Sequence, residues 1–248
     1  MTGDAVGHFS QVAGAYAAYR PGYPPELFDW LVAIAPEAGI AWDCGAGSGQ
    51  AARHLVRYFR RVVATDASRA QLGAGLIAPN AVTWAATAEQ SGIRTGCIDL
   101  AAAAQALHWF HLPRFYSEVR RVLTPGGVLA AWCYADPRLD GAVGEVLERF
   151  AVEMRPWWPP ERALVDSGYR SIPFPFDELS CPSFPMIAEW PLEPVLGYLG
   201  TWSAVGAFIR KRGFDPVSAL RPALAEAWGD PTLRRTITWA LSIRAGHV

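Results

Sequence analysis

Ala41-Trp42-Asp43-Cys44-Gly45-Ala46-Gly47-Ser48-Gly49-Gln50 reads as a short buried strand that runs into a glycine-rich turn and opens a helix. Gly45, Gly47 and Gly49 carry no Cβ, so the backbone there can take positive φ and a ligand can approach the main chain closely. The helix expected next, over residues 50–59, turns its unpaired N–H groups and positive dipole end toward whatever lies over the turn. A second β-branched run, Arg61-Val62-Val63-Ala64-Thr65-Asp66, ends in a carboxylate 21 residues past Gly45. An acidic group about 20 residues on is where a nucleotide-binding βαβ unit receives a ribose hydroxyl pair.

Spacing then narrows the nucleotide. A dinucleotide fingerprint runs G-x-G-x-x-G and holds a pyrophosphate. Here the order is G-x-G-x-G, with Asp43 two residues before the first glycine. A carboxylate at that place repels a pyrophosphate and suits an ammonium group.

These residues resemble the first two motifs of the class I S-adenosylmethionine-dependent methyltransferases, D-x-G-x-G-x-G and an acidic end to the second strand. The resemblance implies a Rossmann-like α/β fold. Its sheet would have seven mostly parallel strands with an antiparallel last strand, and S-adenosylmethionine would be the cofactor. It assigns Asp43, Gly45, Ala46, Gly47, Asp66 and Ala67 to the cofactor. After a third strand over residues 81–85, Ala88 and Glu89 match the family's adenine-contacting loop. Glu118-Val119-Arg120-Arg121-Val122-Leu123-Thr124-Pro125-Gly126-Gly127 looks like the signature before its fifth strand, expected over residues 128–134.

The fourth strand and its exit, residues 97–110, form a continuous apolar run that suits a central parallel strand covered on both faces. Open α/β sheets bind ligands at the carboxyl ends of such strands. Gln105, Ala106, His108 and Trp109 are therefore expected at the pocket. Gln105 is assigned to the cofactor, and His108 and Trp109 to the substrate. A histidine in an apolar setting is more often structural. This one also lies where a methyl would be transferred, and it is the candidate general base for a hydroxyl or enol acceptor; a carboxylate acceptor needs none.

Ahead of the core, Tyr16-Ala17-Ala18-Tyr19-Arg20-Pro21-Gly22-Tyr23-Pro24 resembles the N-terminal cap of one methyltransferase subgroup. That likeness places Tyr16 and Arg20 at the methionine end of the cofactor, Arg20 pairing with its carboxylate; the plainer reading is a surface extension. Beyond Tyr134 the chain is rich in proline and aromatic residues, among them Trp157, Trp158 and Trp202. This is the composition of a substrate lid, or of a satellite core under long loops. Trp157 and Trp202 are taken as substrate contacts. Gly200-Thr201-Trp202-Ser203 resembles the C-terminal half of the trans-aconitate methyltransferase-like group. Arg210, Lys211 and Arg212 read first as a solvated helix end and second as charges for an acidic substrate. A last antiparallel strand is expected over residues 235–243. The domain plan is thus an N-terminal cap over residues 1–24, a cofactor-binding core over 25–134, a lid insertion over 135–232, and a closing strand over 233–248.

Lys and Arg total 22 against 23 Asp and Glu, so no basic stripe offers itself to nucleic acid. No apolar run reaches membrane-spanning length, and the first residues lack signal-peptide character; cytoplasmic residence follows. Cys44, Cys97, Cys133 and Cys181 are single and scattered, so free thiols and no metal site are expected. The partner is a small molecule, and the protein a monomer or homodimer. The Q-A-L-H-W exit and the T-W-S segment resemble small-molecule enzymes like trans-aconitate and cantharidin methyltransferases, and no D/N-P-P-Y/F tetrad follows the fourth strand. An oxygen nucleophile, carboxylate or hydroxyl, is the expected acceptor. Two other readings share some of these motifs: an NAD-dependent oxidoreductase, which the glycine spacing and Asp43 oppose, and a cofactor-binding protein without transferase activity or with repurposed chemistry.

Overall fold

The computed structural model describes residues 19–73 and 78–248. Pro24 and Pro25 start helix α1 (Pro25–Ile34), which buries Leu27, Phe28 and Leu31. Strand β1 (Ile40–Cys44) leads through the glycine turn to a short helix α2 (Ala52–Leu55), then to β2 (Arg61–Asp66). The helix expected over residues 50–59 is thus only four residues long, flanked by turns. Helix α3 (Arg69–Gly73) begins after Ser68, whose hydroxyl accepts from the Gln71 N–H at 3.4 Å. There follow β3 (Ala81–Ala85), β4 (Ile98–Ala104), a single 3-10 turn at Leu107–Trp109, α4 (Leu112–Val122) and β5 (Leu123–Tyr134). Strand β5 starts before the expected residue 128. Leu123 pairs with Ile98 and Val128 with Leu100, so Thr124-Pro125-Gly126-Gly127 forms a bulge inside the strand.

The remainder comprises α5 (Gly141–Met154), α6 (Arg162–Asp166), β6 (Asp177–Glu178), β7 (Met186–Trp190), α7 (Leu192–Gly200), α8 (Ser203–Arg212), α9 (Pro216–Trp228), β8 (Arg235–Trp239) and β9 (Leu241–His247). Asp215 caps α9 by accepting from the N–H groups of Val217 and Ser218.

The main sheet has seven strands in the order β3-β2-β1-β4-β5-β9-β6. Strands β1 to β5 run parallel, and β9 runs antiparallel to both β5 and β6, the reversed strand of an otherwise parallel sheet. The run expected as one strand over 235–243 divides at Ala240. Its first half pairs with β7 in a separate two-stranded sheet, and its second half joins β5. Alternation drives a strand's neighbouring residues to opposite faces, so the two interior layers share β4 and β5 residue by residue. Leu100, Ala102, Val128, Ala130 and Trp132 face α1 and α2. Ala101, Ala103, Leu129, Ala131 and Cys133 face α4 through Phe115, Val119 and Val122.

Residues 135–232 do not form a detached satellite. Phe150, Leu199, Trp202, Leu224 and Trp228 belong to the same buried layer as α1, and Val165, Tyr169 and Ile172 to the layer on α4. All four cysteines are free thiols, Cys44 and Cys133 buried, Cys97 and Cys181 half-buried. Among the described residues no helix is long and apolar enough to cross a membrane.

Trp132 is fully buried, with its ring edge-on to Tyr23 at 5.6 Å and Phe28 at 6.3 Å. Truncating it removes the wedge between β5 and α1. Trp132→Ala is expected to lower unfolding free energy by about 3–5 kcal/mol, read as a drop in the urea midpoint at unchanged slope.

Candidate active site

The carboxyl ends of β1, β2, β4 and β5 open onto two adjoining chambers. The first, about 660 Å³, is lined by the glycine turn from Gly45 to Ser48, by Asp66, Ser68 and Gln71 from the end of β2 onward, and by Ala106, Trp109 and Phe110 from the exit of β4. The second, about 570 Å³ with the space open to solvent included, is lined by Arg20, His108, Tyr134, Trp158, Arg162, Val165, Tyr198, Trp202 and Ser203. Gln105 and Trp109 border both chambers.

The glycine turn is held by the neighbouring strand. Gly45 and Ala46 both donate their N–H groups to the Thr65 carbonyl, at 2.8 and 2.9 Å. Gly47 N–H donates to Asp66 Oδ2 at 2.9 Å, and Ser68 N–H donates to Asp66 Oδ1 at 2.7 Å. Asp66 is 7% exposed, and burial raises its pKa above the usual carboxylate value. Gly45 and Gly47 take positive φ, 68° and 55°. At Gly45 a Cβ would also come within 3.0 Å of Ala106 Cβ and Phe110 Cζ, so the close approach of the β4 exit requires glycine there.

Asp43 sits beneath the turn and is not on the chamber wall. Its Oδ2 accepts from the Ala52 N–H at 3.0 Å, while Oδ1 is buried with no partner among the described residues. Desolvation pushes its carboxyl up to about 7, with Asp66 adding a smaller effect of the same sign. Ser48 Oγ, in a residue that lines the first chamber, is likewise buried without a partner. A buried hydroxyl left unpaired is costly, and a polar ligand in this chamber relieves that cost. Ala67 is half-buried between Asp66 and Ser68.

Glu89, expected at the adenine, stands elsewhere. Its Oε1 accepts from the His111 N–H at 2.7 Å, and it lines a separate cleft beside α4. Ala88 is buried next to it and is not on the first chamber's wall. A lone Ala-Glu pair could be placed only by its order in the chain, and the loop after β3 turns toward α4 instead. Tyr16 lies outside the described residues. Arg20 lines the second chamber rather than the first; its Nη1 donates to the Tyr134 hydroxyl at 2.9 Å and its Nη2 to the Thr201 carbonyl at 3.2 Å.

Gln105 has positive φ, 53°, an uncommon state for a residue with a side chain. Its Oε1 accepts from the Tyr134 N–H at 2.8 Å and its Nε2 donates to the Tyr134 carbonyl at 3.3 Å, extending the β4–β5 ladder one step with side-chain atoms. His108 Nδ1 lies 2.8 Å from the Tyr169 hydroxyl. Burial first, and the Arg162 charge second, lower its pKa to about 3, so the ring is neutral at physiological pH.

Of the two indoles taken as substrate contacts, Trp202 lines the second chamber and Trp157 does not. It packs against Phe208 at 5.0 Å with Arg212 over its ring, and Trp158 faces the chamber in its place. One residue of register inside an irregular stretch decides which indole turns inward. Arg210, Lys211 and Arg212 are exposed on the last turn of α8. Sequence reasoning missed Tyr134 and Arg162 and read Trp158, Tyr169 and Tyr198 only as the aromatic composition of a lid, because they come from separate elements and share no local pattern. Arg162 donates to Asp166 at 2.6 Å and Asp136 at 2.7 Å and stacks over Trp158 at 4.3 Å.

The methyltransferase domain family matches residues 42–131, the stretch that builds the first chamber. A solved structure described as a "Putative Type II Methyltransferase" from Anaeromyxobacter dehalogenans is 47% identical, covers 92% of this chain and 98% of its own, and superposes with a TM-score of 0.85. The chain belongs to the class I S-adenosylmethionine-dependent methyltransferases. A methyltransferase-like protein of Dictyostelium discoideum is similar at 29% identity over 225 residues, 89% of this chain and 86% of that one. An uncharacterised methyltransferase of Mycobacterium tuberculosis is 38% identical over 145 residues, 57% of this chain and 59% of that one. YcgJ of Bacillus subtilis, 13% identical with a TM-score of 0.51 and 90% and 97% coverage, shares the fold.

Asp43 gives this methyltransferase a pH signature. Its carboxyl titrates near 3.8 when unfolded and near 7 when folded, so its contribution to stability is full below pH 4 and lost as pH rises through about 7. Asp43→Asn removes that loss. In urea unfolding without ligand, the variant is expected to gain on the wild type between pH 5 and pH 8 by a few kcal/mol, at most on the order of 4 kcal/mol.

Proposed function

We propose that this methyltransferase transfers a methyl group to an oxygen, carboxylate or hydroxyl, of a small molecule held in the second chamber. The observation that carries the reading is the junction of the two chambers at Gln105 and Trp109, which places anything bound against the glycine turn next to an aromatic recess. S-adenosylmethionine, when bound, supplies a methyl group activated by its positively charged sulfur.

This chain's residues do the rest. Asp66, its carboxylate already oriented by two backbone N–H groups, receives the ribose hydroxyls, and Gly45, Ala46, Gly47 and Ser48 give the main chain close access to the ligand. Gln105 stands at the boundary, where its tie to Tyr134 fixes the passage. Arg20, on the second chamber's wall, offers its guanidinium to a carboxylate near that boundary, the amino-acid end of the cofactor or an acidic acceptor. Trp109, Trp158 and Trp202 exclude water and give a flat acceptor apolar surface to lie on. Orientation in a dry recess is the main catalytic contribution available to such a site.

The aromatic walls support the likeness to trans-aconitate and cantharidin methyltransferases. They also support a small molecule over a macromolecule as partner, and cytoplasmic residence suits such a metabolite. In this reading residues 135–232 supply the cover over the acceptor and residues 1–24 the cap over the cofactor.

Calorimetric titration tests the cofactor half: S-adenosylmethionine and S-adenosylhomocysteine are expected to bind, NAD not to bind, and Asp66→Ala to weaken the first two by at least tenfold, from lost charge-assisted hydrogen bonds. Binding of NAD alone would overturn the reading. Release of S-adenosylhomocysteine in the presence of small acids or hydroxylated compounds separates transfer from mere binding.

A further inference from the structure

His108 lines the second chamber with its Nδ1 engaged by Tyr169, which leaves Nε2 as the ring nitrogen available to a ligand. Two chemistries are open to it. A bare Nε2 would take a proton from a hydroxyl acceptor; an Nε2–H would donate to an acceptor that arrives ionised. The hydrogen on the Nδ1 side decides which.

The partner on that side is fixed firmly. Tyr169 is fully buried and holds positive φ, 62°, directly after Gly168 at 60°. Arg244 on β9 donates through Nη1 to the carbonyls of Tyr169 and Ile172, at 3.1 and 2.5 Å, while its Nε and Nη2 grip Glu178 at 2.7 and 2.9 Å. The strained turn is thus tied to the sheet, and the phenol oxygen is delivered to the imidazole edge at 2.8 Å. The chamber itself is rich in donors. Arg20, Arg162 and Ser203 line it, and among the described residues that line it none is Asp or Glu. A base that became cationic there would face no carboxylate from those described lining residues, and His108 resists protonation down to a pKa of about 3.

Resting on the methyl-transfer reading above, we propose that Tyr169 donates its hydroxyl proton to His108 Nδ1, fixing His108 as an Nε2–H donor that holds the acceptor's carboxylate instead of deprotonating a hydroxyl. The acceptor is a small carboxylic acid, bound ionised, and the product is its methyl ester. One carboxylate oxygen takes the His108 hydrogen bond and the other forms the new bond to carbon. The carbon–sulfur bond breaks with its electron pair left on sulfur, the acceptor's negative charge and the sulfonium's positive charge cancel, and no proton moves. Tyr169 is a positioning residue in this scheme.

Long-range proton–nitrogen NMR on the full chain, with and without S-adenosylhomocysteine, reads the tautomer directly, His108 being assigned by the signal lost in His108→Gln. The expected result is a single Nε2–H form that becomes a mixture in Tyr169→Phe. Benzoate is expected to move the His108 Nε2 signal at concentrations at least about tenfold below those at which benzamide, the same shape without charge, does so. Turnover of small acids is expected to fall about ten- to a hundredfold in His108→Leu, and within about threefold of wild type in His108→Gln, which keeps an N–H near the Nε2 position and has no basic nitrogen. An Nδ1–H tautomer, a response to benzamide equal to that to benzoate, or a Gln variant as inactive as the Leu variant overturns the proposal. Failure of the wild type to bind S-adenosylhomocysteine in the same tube instead overturns the methyl-transfer reading, and the tautomer still decides the His108–Tyr169 pair.

Discussion

The first chamber exists because the turn after β1 is tied to the end of β2. Thr65 contributes one carbonyl that accepts from both Gly45 and Ala46, and Asp66 contributes a carboxylate that accepts from Gly47 on one oxygen and from Ser68 on the other. Each parallel strand pair leaves such backbone groups unpaired at its carboxyl end, where the chains diverge toward different helices. Here the divergence is held at a fixed width by three N–H donors of the turn on two acceptor groups of β2, while the Ser68 N–H orients the Asp66 carboxylate from its own side. The helix after the turn is only four residues long and contributes little dipole, so these local hydrogen bonds, more than a long helix, define the cradle.

The same economy shapes the opposite wall. At the exit of β4 the chain must turn sharply, and Gln105 does so in a left-handed conformation that few non-glycine residues adopt. Its amide offsets that cost by pairing both ways with the Tyr134 backbone. The turn brings Ala106 and Phe110 against Gly45 so closely that a side chain at that glycine has no room. Both walls of the first chamber are therefore set by contact between two strand exits, and the boundary with the second chamber falls where those exits touch.

Much of this was legible in the sequence because it is local. The D-x-G-x-G-x-G order, the 21-residue step to Asp66 and the apolar run of β4 are properties of contiguous residues whose period and spacing carry the physics. The residues that could not be read are those whose position depends on packing between distant elements. Glu89 went to α4 because His111 offers it an N–H, and Trp157 turned out while Trp158 turned in, a difference that no periodicity marks in a proline-rich stretch. Residues 235–243 alternate well enough for one strand. The break at Ala240 arises because β7 claims the first half and β5 the second, a competition between partners 50 or more residues apart in the chain. Tyr169 is a third case: its role comes from a left-handed turn clamped by Arg244, 75 residues further on.

The residues after β5 tie the second chamber to the core in a way a detachable lid would not. Trp202 lines the second chamber, yet it is 2% exposed, its ring tilted against Phe150 at 5.9 Å and Trp158 at 5.4 Å and edge-on to Tyr198 at 6.1 Å, and it belongs to the same layer as α1. Tyr198 in turn meets Trp239 on β8, so the wall of the second chamber is continuous with the packing that seats the second sheet. The second chamber therefore cannot be enlarged by trimming one indole alone, because each wall residue also fills the interior, and close-packed interiors transmit the loss of a side chain to their neighbours. Enlargement of the chamber is expected to proceed through Trp158, which is half-buried with Arg162 over its ring, before it proceeds through Trp202 or Tyr198.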